Sequence, residues 1–370
     1  MRWPFAEKKS EPVAWRFPGF AVASSGGEPP AGYEAQVREA YMRNPVGQRA
    51  VRMVADAASA TPLIVDGAAH PAAALLTPFL METVATHLLL HGNAFLETGL
   101  DHRDMPAALW ALRPERMALE VDARGWPAAW LYRLGTKTVR YRAGGDGEGM
   151  ALLHVRTANP LDDHMGLGCV AAASEPAQLL NQAARWNRSL LANAARPSGA
   201  LVMEENGATL SAEQFDRLRD EIEAGFQGAA NAGRPMLLEG GLRWQPLALT
   251  PAEMDFARLR EAAAREVALA FGVPPMLLGL PGDSTHANYA EANVSLWRLT
   301  VLPLVARVLA AASQHLRQWW PELELAVDMD AIPALWGDRE RLWRHVAAAD
   351  FLSADEKRAL LGWSDRGGVA

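Results

Sequence analysis

A single cysteine, Cys169, in 370 residues excludes an intrachain disulfide and any zinc or iron–sulfur site built from several thiolates. One thiol in so long a chain fits a reducing compartment. Nucleotide signatures are missing as well. There is no G-x-x-x-x-G-K-S/T loop, and no G-x-G-x-x-G follows a strand. Neither the G-x-S-x-G elbow nor the H-E-x-x-H zinc helix occurs. A P-loop motor, a dinucleotide-binding dehydrogenase, an α/β-hydrolase and a zincin are therefore disfavoured from the outset. No run of 18 apolar residues exists. Val267 to Gly282 is uncharged, but Gly272, Pro274, Pro275 and Gly279 interrupt it, so no membrane span is expected. The first residues, Met1 to Lys9, hold no apolar stretch of the secretory kind. An excess of basic residues is also lacking: 36 Lys and Arg stand against 43 Asp and Glu, a formal charge of −7. That balance disfavours a protein gripping nucleic acid over its whole surface, though not one that encloses it.

Half of the chain is hydrophobic and 21% is charged, which predicts a substantial core spread over two or three subdomains. Residues 1–32 are rich in Pro, Gly and Ser and read as a flexible arm. Asn44-Pro45 is an N-cap followed by Pro at the first helical position. The helix it opens places Val46, Ala50, Val51, Val54 and Ala58 on one face. Pro62 to Val65 reads as a strand. A helix from Pro78 to His91 stops at Gly92-Asn93, and Ala94 to Thr98 is a strand. Five strand-like runs follow between Leu109 and Val155, punctuated by Pro114, Gly125 and Gly144-Gly145.

Beyond Asn159-Pro160 the pattern turns helical. One helix is expected from Ser174 to Ala194, starting there because of Pro176. Ser211 to Gln214 and Thr250 to Glu253 are capping boxes, the second opening a helix to Phe271. A long helix is expected from Ala290 to Trp319, about 45 Å at 1.5 Å per residue. Pro303 should kink it by freeing the carbonyl of Leu299. Ser353 to Glu356 caps a last short helix.

Three groups invite a chemical reading. His87 and His91 sit four apart on a helix, the spacing of metal ligands, but no Glu lies between them and a third ligand is needed. His154 with Asp162, Asp163 and His164 is a second polar cluster, astride a strand end and a loop. A metal-dependent hydrolase built on either group is the enzymatic alternative. Tryptophans 186, 297, 319, 320, 336 and 343 lie among Leu and Val at helical spacing, which favours core or subunit packing over base stacking. The most informative stretch is Phe271-Gly-Val-Pro-Pro-Met-Leu-Leu-Gly279 and the polar loop after it. A hard helix stop, a short apolar turn and a glycine loop there precede the longest helix. Such a loop can move while its ends stay anchored; an ordinary helix–helix connection, long for its kind, is the alternative.

At this stretch the chain resembles the phage portal proteins of long-tailed phages and gene transfer agents. The resemblance rests on an ordered set: Asn44-Pro45 through Thr61-Pro62-Leu63, Leu88-Leu-Leu-His-Gly-Asn-Ala-Phe95, Leu112-Arg-Pro114 and Leu153-His-Val-Arg156. Asn193-Ala-Ala-Arg-Pro-Ser-Gly199, Gly228 to Gly233, Leu237-Leu-Glu-Gly-Gly241 and Asp255-Phe256 continue it. Arg260, Glu266-Val267, Phe271-Gly-Val-Pro-Pro275 and Asn288-Tyr289 complete it. It covers about Tyr41 to Trp320.

The resemblance implies an α+β portal fold and a non-enzymatic role in a ring, usually of twelve, at a capsid vertex. Residues 33–170 would form an α/β wing, with 171–198 and 249–273 as the stem helices and 199–248 as a small α/β clip. Residues 274–290 would hold the tunnel loop, 291–330 the long kinked wing helix and a strand, and 331–370 a reduced helical crown. The tunnel loop would be Pro281, Gly282, Asp283, Ser284, Thr285, His286, Ala287, Asn288 and Tyr289. The stem face that could pair between subunits carries Glu253, Asp255, Arg258, Arg260, Glu261 and Arg265; a solvated face with an internal Glu261–Arg265 pair is the alternative. Implied partners are further copies of the chain, double-stranded DNA, the terminase large subunit, the major capsid protein and a head–tail adaptor. No cofactor, metal or membrane is implied. Another virion structural or adaptor protein is the remaining alternative. The implied location is the virion, with assembly in the host cytoplasm.

Overall fold

A computed structural model describes residues 32–65, 70–142, 151–192, 199–203, 242–246, 256–280 and 286–361, with helical Glu213, Asp216, Arg217 and Asp220. The arm before residue 32 and both internal capping boxes, at Ser211 and Thr250, lie largely or wholly outside these residues.

The first half builds an α/β layer. Helix α1 (Tyr33–Val37) runs on into a π-helical turn, Arg38–Met42. Helix α2 (Pro45–Ser59) starts as its sequence demands: Asn44 is extended and its side chain accepts a bond from the Gly47 amide at 2.9 Å. The expected face is the buried one, with Ala50, Val51, Val54 and Ala58 at 0–1% exposure. Strand β1 (Leu63–Val65), helix α3 (Pro71–Leu75) and helix α4 (Pro78–Leu90) follow, and Thr77 caps α4.

Two three-stranded antiparallel sheets come next. Strands β2 (Asn93–Leu100), β3 (Pro106–Leu112) and β7 (Leu152–Arg156) form one, in the order β3-β2-β7. Strands β4 (Met117–Val121), β5 (Pro127–Leu134) and β6 (Lys137–Arg142) form the other, in chain order. Strand β2 is buried on both faces. Leu96 joins the main core, while Phe95 joins a second cluster with Met117, Trp130, Tyr132 and Tyr141.

The second half is mainly helical. Helix α5 spans Val170–Ala192. Strands β8 (Gly199–Met203) and β9 (Leu242–Pro246) pair antiparallel. Helix α6 (Phe256–Ala270) precedes a 3-10 turn, Pro275–Leu278. The long helix is α7 (His286–Leu296), a π-helical turn (Trp297–Val301) and α8 (Leu302–Leu316). Strand β10 (Leu325–Val327) returns to β1, and helices α9 (Trp336–Ala347) and α10 (Ala354–Leu360) end the described chain.

Two helix expectations need correction. Helix α5 begins at Val170 rather than near Ser174, and Pro176 lies inside it. Burial outweighs the lost hydrogen bond: Val170, Ala173 and Ala177 are 0–3% exposed and belong to the core. The long helix starts at His286, not Ala290. A π turn lies just before Pro303, where the kink was expected. Proline there has no N–H and crowds the carbonyl of Leu299, and the amide of Leu302 reaches back five residues to Trp297 instead. From Asn288 to Leu316 this helix is long and apolar enough to cross a bilayer. Here its Val305, Val308, Leu309, Ala312 and Leu316 sit in the core against α2 and α4.

Glycines and one amide bind the end of α4 to the loop that feeds α5. Gly92 caps α4 with φ +80°. Asn93 is fully buried; its side chain donates to the Gly166 carbonyl at 3.0 Å and accepts from the Gly166 amide at 2.7 Å. The same oxygen lies 2.9 Å from His154 Nε2, and its nitrogen lies 3.0 Å from His91 Nδ1. A methyl on Gly166 would stand 2.1 Å from the Gly92 carbonyl oxygen. Gly166→Ala should therefore lower the unfolding free energy by about 3 kcal/mol or more, read by urea denaturation; an unchanged midpoint would show that the loop relaxes freely.

Four histidines are held neutral, chiefly by burial. His87, His91 and His315 are lowered to about 4 and His154 to about 3. Arg113 adds to the effect at His87, and Arg156 at His154. Nε2 of His315 lies 2.7 Å from the Thr98 hydroxyl. The unfolded chain takes up these protons below about pH 6.5 and the folded chain does not. Stability should be complete above that value and fall on acidification towards pH 4, by about 1.4 kcal/mol per pH unit for each histidine. Thermal melts between pH 7.5 and 4.5 would show the slope, and a flat profile would contradict it.

Candidate channel segment and stem helices

The segment singled out by sequence lies between α6, which packs side by side with α5, and the long helix that begins at His286. The buried positions of α5 and α6 are small: Ala173, Ala177 and Ala183 on one, Ala263, Ala264 and Ala268 with Val267 on the other. Such side chains let two backbones approach closely.

Helix α5 is clasped to the first helices by a chain of polar groups. The Asn44 amide reaches the Ala177 carbonyl and Asn181 Oδ1, both at 3.3 Å. Asn181 in turn donates to the Glu39 carbonyl and carboxylate, each at 2.9 Å. Arg185 meets the same carboxylate at 2.7 Å, and Arg43 lies 3.7 Å from it. The Glu39 side chain is 12% exposed, so this is a largely desolvated charge with two cationic partners and an amide. Asn44 was legible as a helix cap. That its other side holds α5 was not, because Glu39 and Asn181 are distant in sequence.

Helix α6 presents a mixed face. Glu261 and Arg265 form an i,i+4 ion pair at 2.8 Å. Arg258 and Arg260 are exposed, and the outer stripe carries Leu259, Ala262, Glu266 and Leu269, with Leu269 at 77% exposure. Glu253 and Asp255 lie outside the described residues. The helix ends in a Schellman arrangement: the Val273 amide bonds to the Ala268 carbonyl at 3.0 Å and the Gly272 amide to Leu269 at 2.9 Å, with Gly272 at φ +66°. The Thr300 hydroxyl, from the π turn, donates to the Gly272 carbonyl at 2.6 Å. The beginning of the segment after α6 is thereby stapled to the middle of the long helix.

Within that loop, Pro281, Gly282, Asp283, Ser284 and Thr285 fall outside the described residues, and His286, Ala287, Asn288 and Tyr289 are the first turn of α7. Asn288 and Tyr289 are exposed. The sequence contains no Lys or Arg between Arg265 and Arg298, whereas Glu266, Asp283 and Glu291 are acidic. The chain around the loop can approach a polyanion without binding it tightly.

His87 and His91 remain one turn apart on α4, whereas His154 is separated from Asp162 and His164. His91 stacks edge-on with Tyr33 at 4.6 Å, and His87 Nδ1 has no hydrogen-bond partner among the described residues. His154 stacks on Phe95 at 4.3 Å. Asp162 instead closes a turn onto the His164 and Met165 amides at 2.8 Å, and His164 faces the Gly125 carbonyl at 3.0 Å. Among the described residues, no group of three or more His, Cys, Asp or Glu is placed to hold a metal ion.

The clasp on α5 generates a test. Asn181→Ala leaves the Asn44 amide and the Glu39 carboxylate short of a partner, and should cost about 2–3 kcal/mol. Hydrogen exchange should show faster opening of the α5 amides than of those in α4. Equal acceleration in both helices would mean that the clasp does not act locally.

Residues 45–362 match the protein family described as phage portal protein. A chain in the neck of an empty gene transfer agent (GTA) particle, computed with C6 symmetry, is 43% identical. It aligns over 92% of this chain and 97% of that one, with a TM-score of 0.70. A chain in the neck of the native GTA particle, computed with C12 symmetry, is likewise 43% identical over 92% and 96%, with a TM-score of 0.67. An uncharacterized protein of Rickettsia bellii is 36% identical over 345 residues, 88% of each chain. The mixed helix and strand architecture expected from the sequence is the one these structures share. The chain belongs to the phage portal protein family.

Proposed function

We propose that this protein is the portal subunit of a GTA-type or phage particle: copies assemble into a ring at one capsid vertex, and the genome passes through the centre. The observation that carries this reading is end-to-end similarity. A chain 43% identical over 92% of this one lies in a particle neck that has been computed with C6 and with C12 symmetry.

On this reading the wing is residues 33–170 with the long helix, and the stem is α5 and α6. Residues 199–248, which include the β8–β9 pair, are the clip that meets the terminase large subunit and later a head–tail adaptor. The wing faces the major capsid protein, and α9 and α10 belong to the crown. Neighbours meet through unlike surfaces that close into a ring. Exposed Leu259 and Leu269 beside Arg258, Arg260, Glu261 and Arg265 suit the stem seam, together with Glu253 and Asp255. The role is structural, and the motor is a separate ATPase.

Charge supports passage rather than capture. Twelve copies of a chain of charge −7 would carry −84. Had each copy offered one phosphate contact, about 12 contacts would give a salt slope of about −11 and very tight holding. Asp283 and His286, in a stretch free of Lys and Arg, avoid this. Replacing them, Asp283→Lys with His286→Lys, changes the loop from −1 to +2 per subunit. Assembled particles should then package DNA several-fold more slowly, with the deficit relieved by added salt. A packaging rate equal to that of the unmodified protein would remove the electrostatic explanation.

A further inference from the structure

The three-stranded sheet of β4, β5 and β6 has an open edge. Strand β6 pairs with β5, and no described residue pairs with its other side. Only Tyr141 among its residues is buried. A two-residue turn, Gly135-Thr136, joins β5 to β6, with Gly135 at φ +59° and Leu134 opposite Lys137. In a hairpin of this kind alternate residues bond to the partner strand, starting from the pair that closes the turn. Lys137 and Val139 therefore serve β5. The N–H and C=O of Thr138 and Arg140 point away from it, as an edge strand offers them to a further strand.

Cations gather at the turn end of this hairpin. Arg133 and Lys137 are exposed, and neither makes an ion pair among the described residues. Arg133 lies opposite Thr138. Arg116, also without an ion pair there, ends the 3-10 turn Pro114–Arg116 that packs on β5. Met117 faces Tyr132, so the register continued by one residue sets Arg116 beside Arg133. Like charges placed so repel, which favours Arg133 reaching across the short Thr138 side chain towards the β6 edge. On the other face of the hairpin, Leu134 and Val139 are 45% and 40% exposed.

The acidic groups around this sheet are engaged or distant. Glu120 pairs with Arg140 at 3.0 Å. Glu115 lies beside Arg113 and Tyr33, and Glu97 accepts from the Tyr141 hydroxyl. Asp122 closes the turn at the opposite end of β5, onto the amides of Arg124 and Trp126. Asp146 and Glu148, outside the described residues, come only after Arg142, where β6 ends. That end is about 17 Å along the strand from Lys137.

We propose that β6 is a docking edge for an extended acidic segment of another protein, which adds to the sheet as a fourth strand. The backbone of the segment pairs with Thr138 and Arg140. Its side chains alternate between the two faces. Carboxylates meet Arg133 on one face, aliphatic groups lie against Val139 on the other, and Lys137 holds the end of the segment at the turn. Charge selects this occupant. A second β6 edge would set like charges against one another. A DNA duplex could use the cations, but neither the strand edge nor the aliphatic pair. The site goes beyond the portal reading and stands without it.

The test uses the full-length protein and a fluorescent peptide that alternates glutamate with valine. Anisotropy should show binding that weakens as salt is added. Val139→p-benzoylphenylalanine should cross-link to the peptide on irradiation. Arg133→Glu with Lys137→Glu should weaken binding tenfold or more and, at exposed positions, leave the far-UV spectrum unchanged. Methylating alternate peptide nitrogens, which removes donors to the edge and keeps the charge, should weaken it about fivefold. No binding up to about 1 mM would overturn the site, as would a cross-link that never forms. Equal binding by the charge-reversed protein or by the methylated peptide would do the same. So would a short DNA duplex that binds more tightly than the peptide and is lost in the charge-reversed protein. Each of these results leaves the portal reading standing, because ring formation is read separately by imaging.

Discussion

A carboxylate with little exposure to water, that of Glu39, decides how the two halves of this fold are joined. It is satisfied by Asn181 and Arg185 of α5 and by Arg43 of its own element. Asn44 completes the clasp by reading the α5 backbone with one side of its amide and capping α2 with the other. Breaking one member strands the rest in a poorly solvated place, which costs more than any single bond contributes. Helix α5 is therefore held firmly to the first helices, and α6 lies along it, its buried positions mostly alanines. The loop after α6 inherits that rigidity at its base, where Thr300 reaches Gly272.

On the portal reading proposed above, α5 and α6 would serve as fixed walls and the segment after α6 as a loop anchored at its base. Polyelectrolyte physics adds a requirement, that contacts multiplied around a ring remain few. The sequence from Glu266 to Trp297 meets it by omission of Lys and Arg. The overall acidity of the chain acts in the same direction and keeps a large assembly soluble.

Much of the fold was legible because it is written locally. The cap at Asn44, the Gly92 stop, the strand runs from Leu109 to Val155 and the Ser353 box each draw on neighbours within a few residues. What escaped was written at a distance. The pairing of β1 with β10 joins residues more than 250 positions apart and has no local signature. Pro176 argued for a later start to α5, yet burial of Val170 and Ala173 overrode it. The π turn before Pro303 was not foreseen beyond the expectation that the proline would disturb the helix. The Gly and Pro pattern after α6 drew notice to that segment and the charged stripe of α6 could be read from its spacing, whereas the exposure of Leu269 and the Glu39 clasp could not. Both depend on what a neighbouring element covers or leaves bare.

Cryo-electron microscopy of the purified full-length protein, with and without duplex DNA, most directly tests the central claim. A closed ring is predicted, with α5 and α6 bordering a central channel wide enough for a duplex and the chain around residues 281–289 at its narrowest point. Particles that remain monomeric at every concentration, or rings in which α5 and α6 face outward, would contradict it.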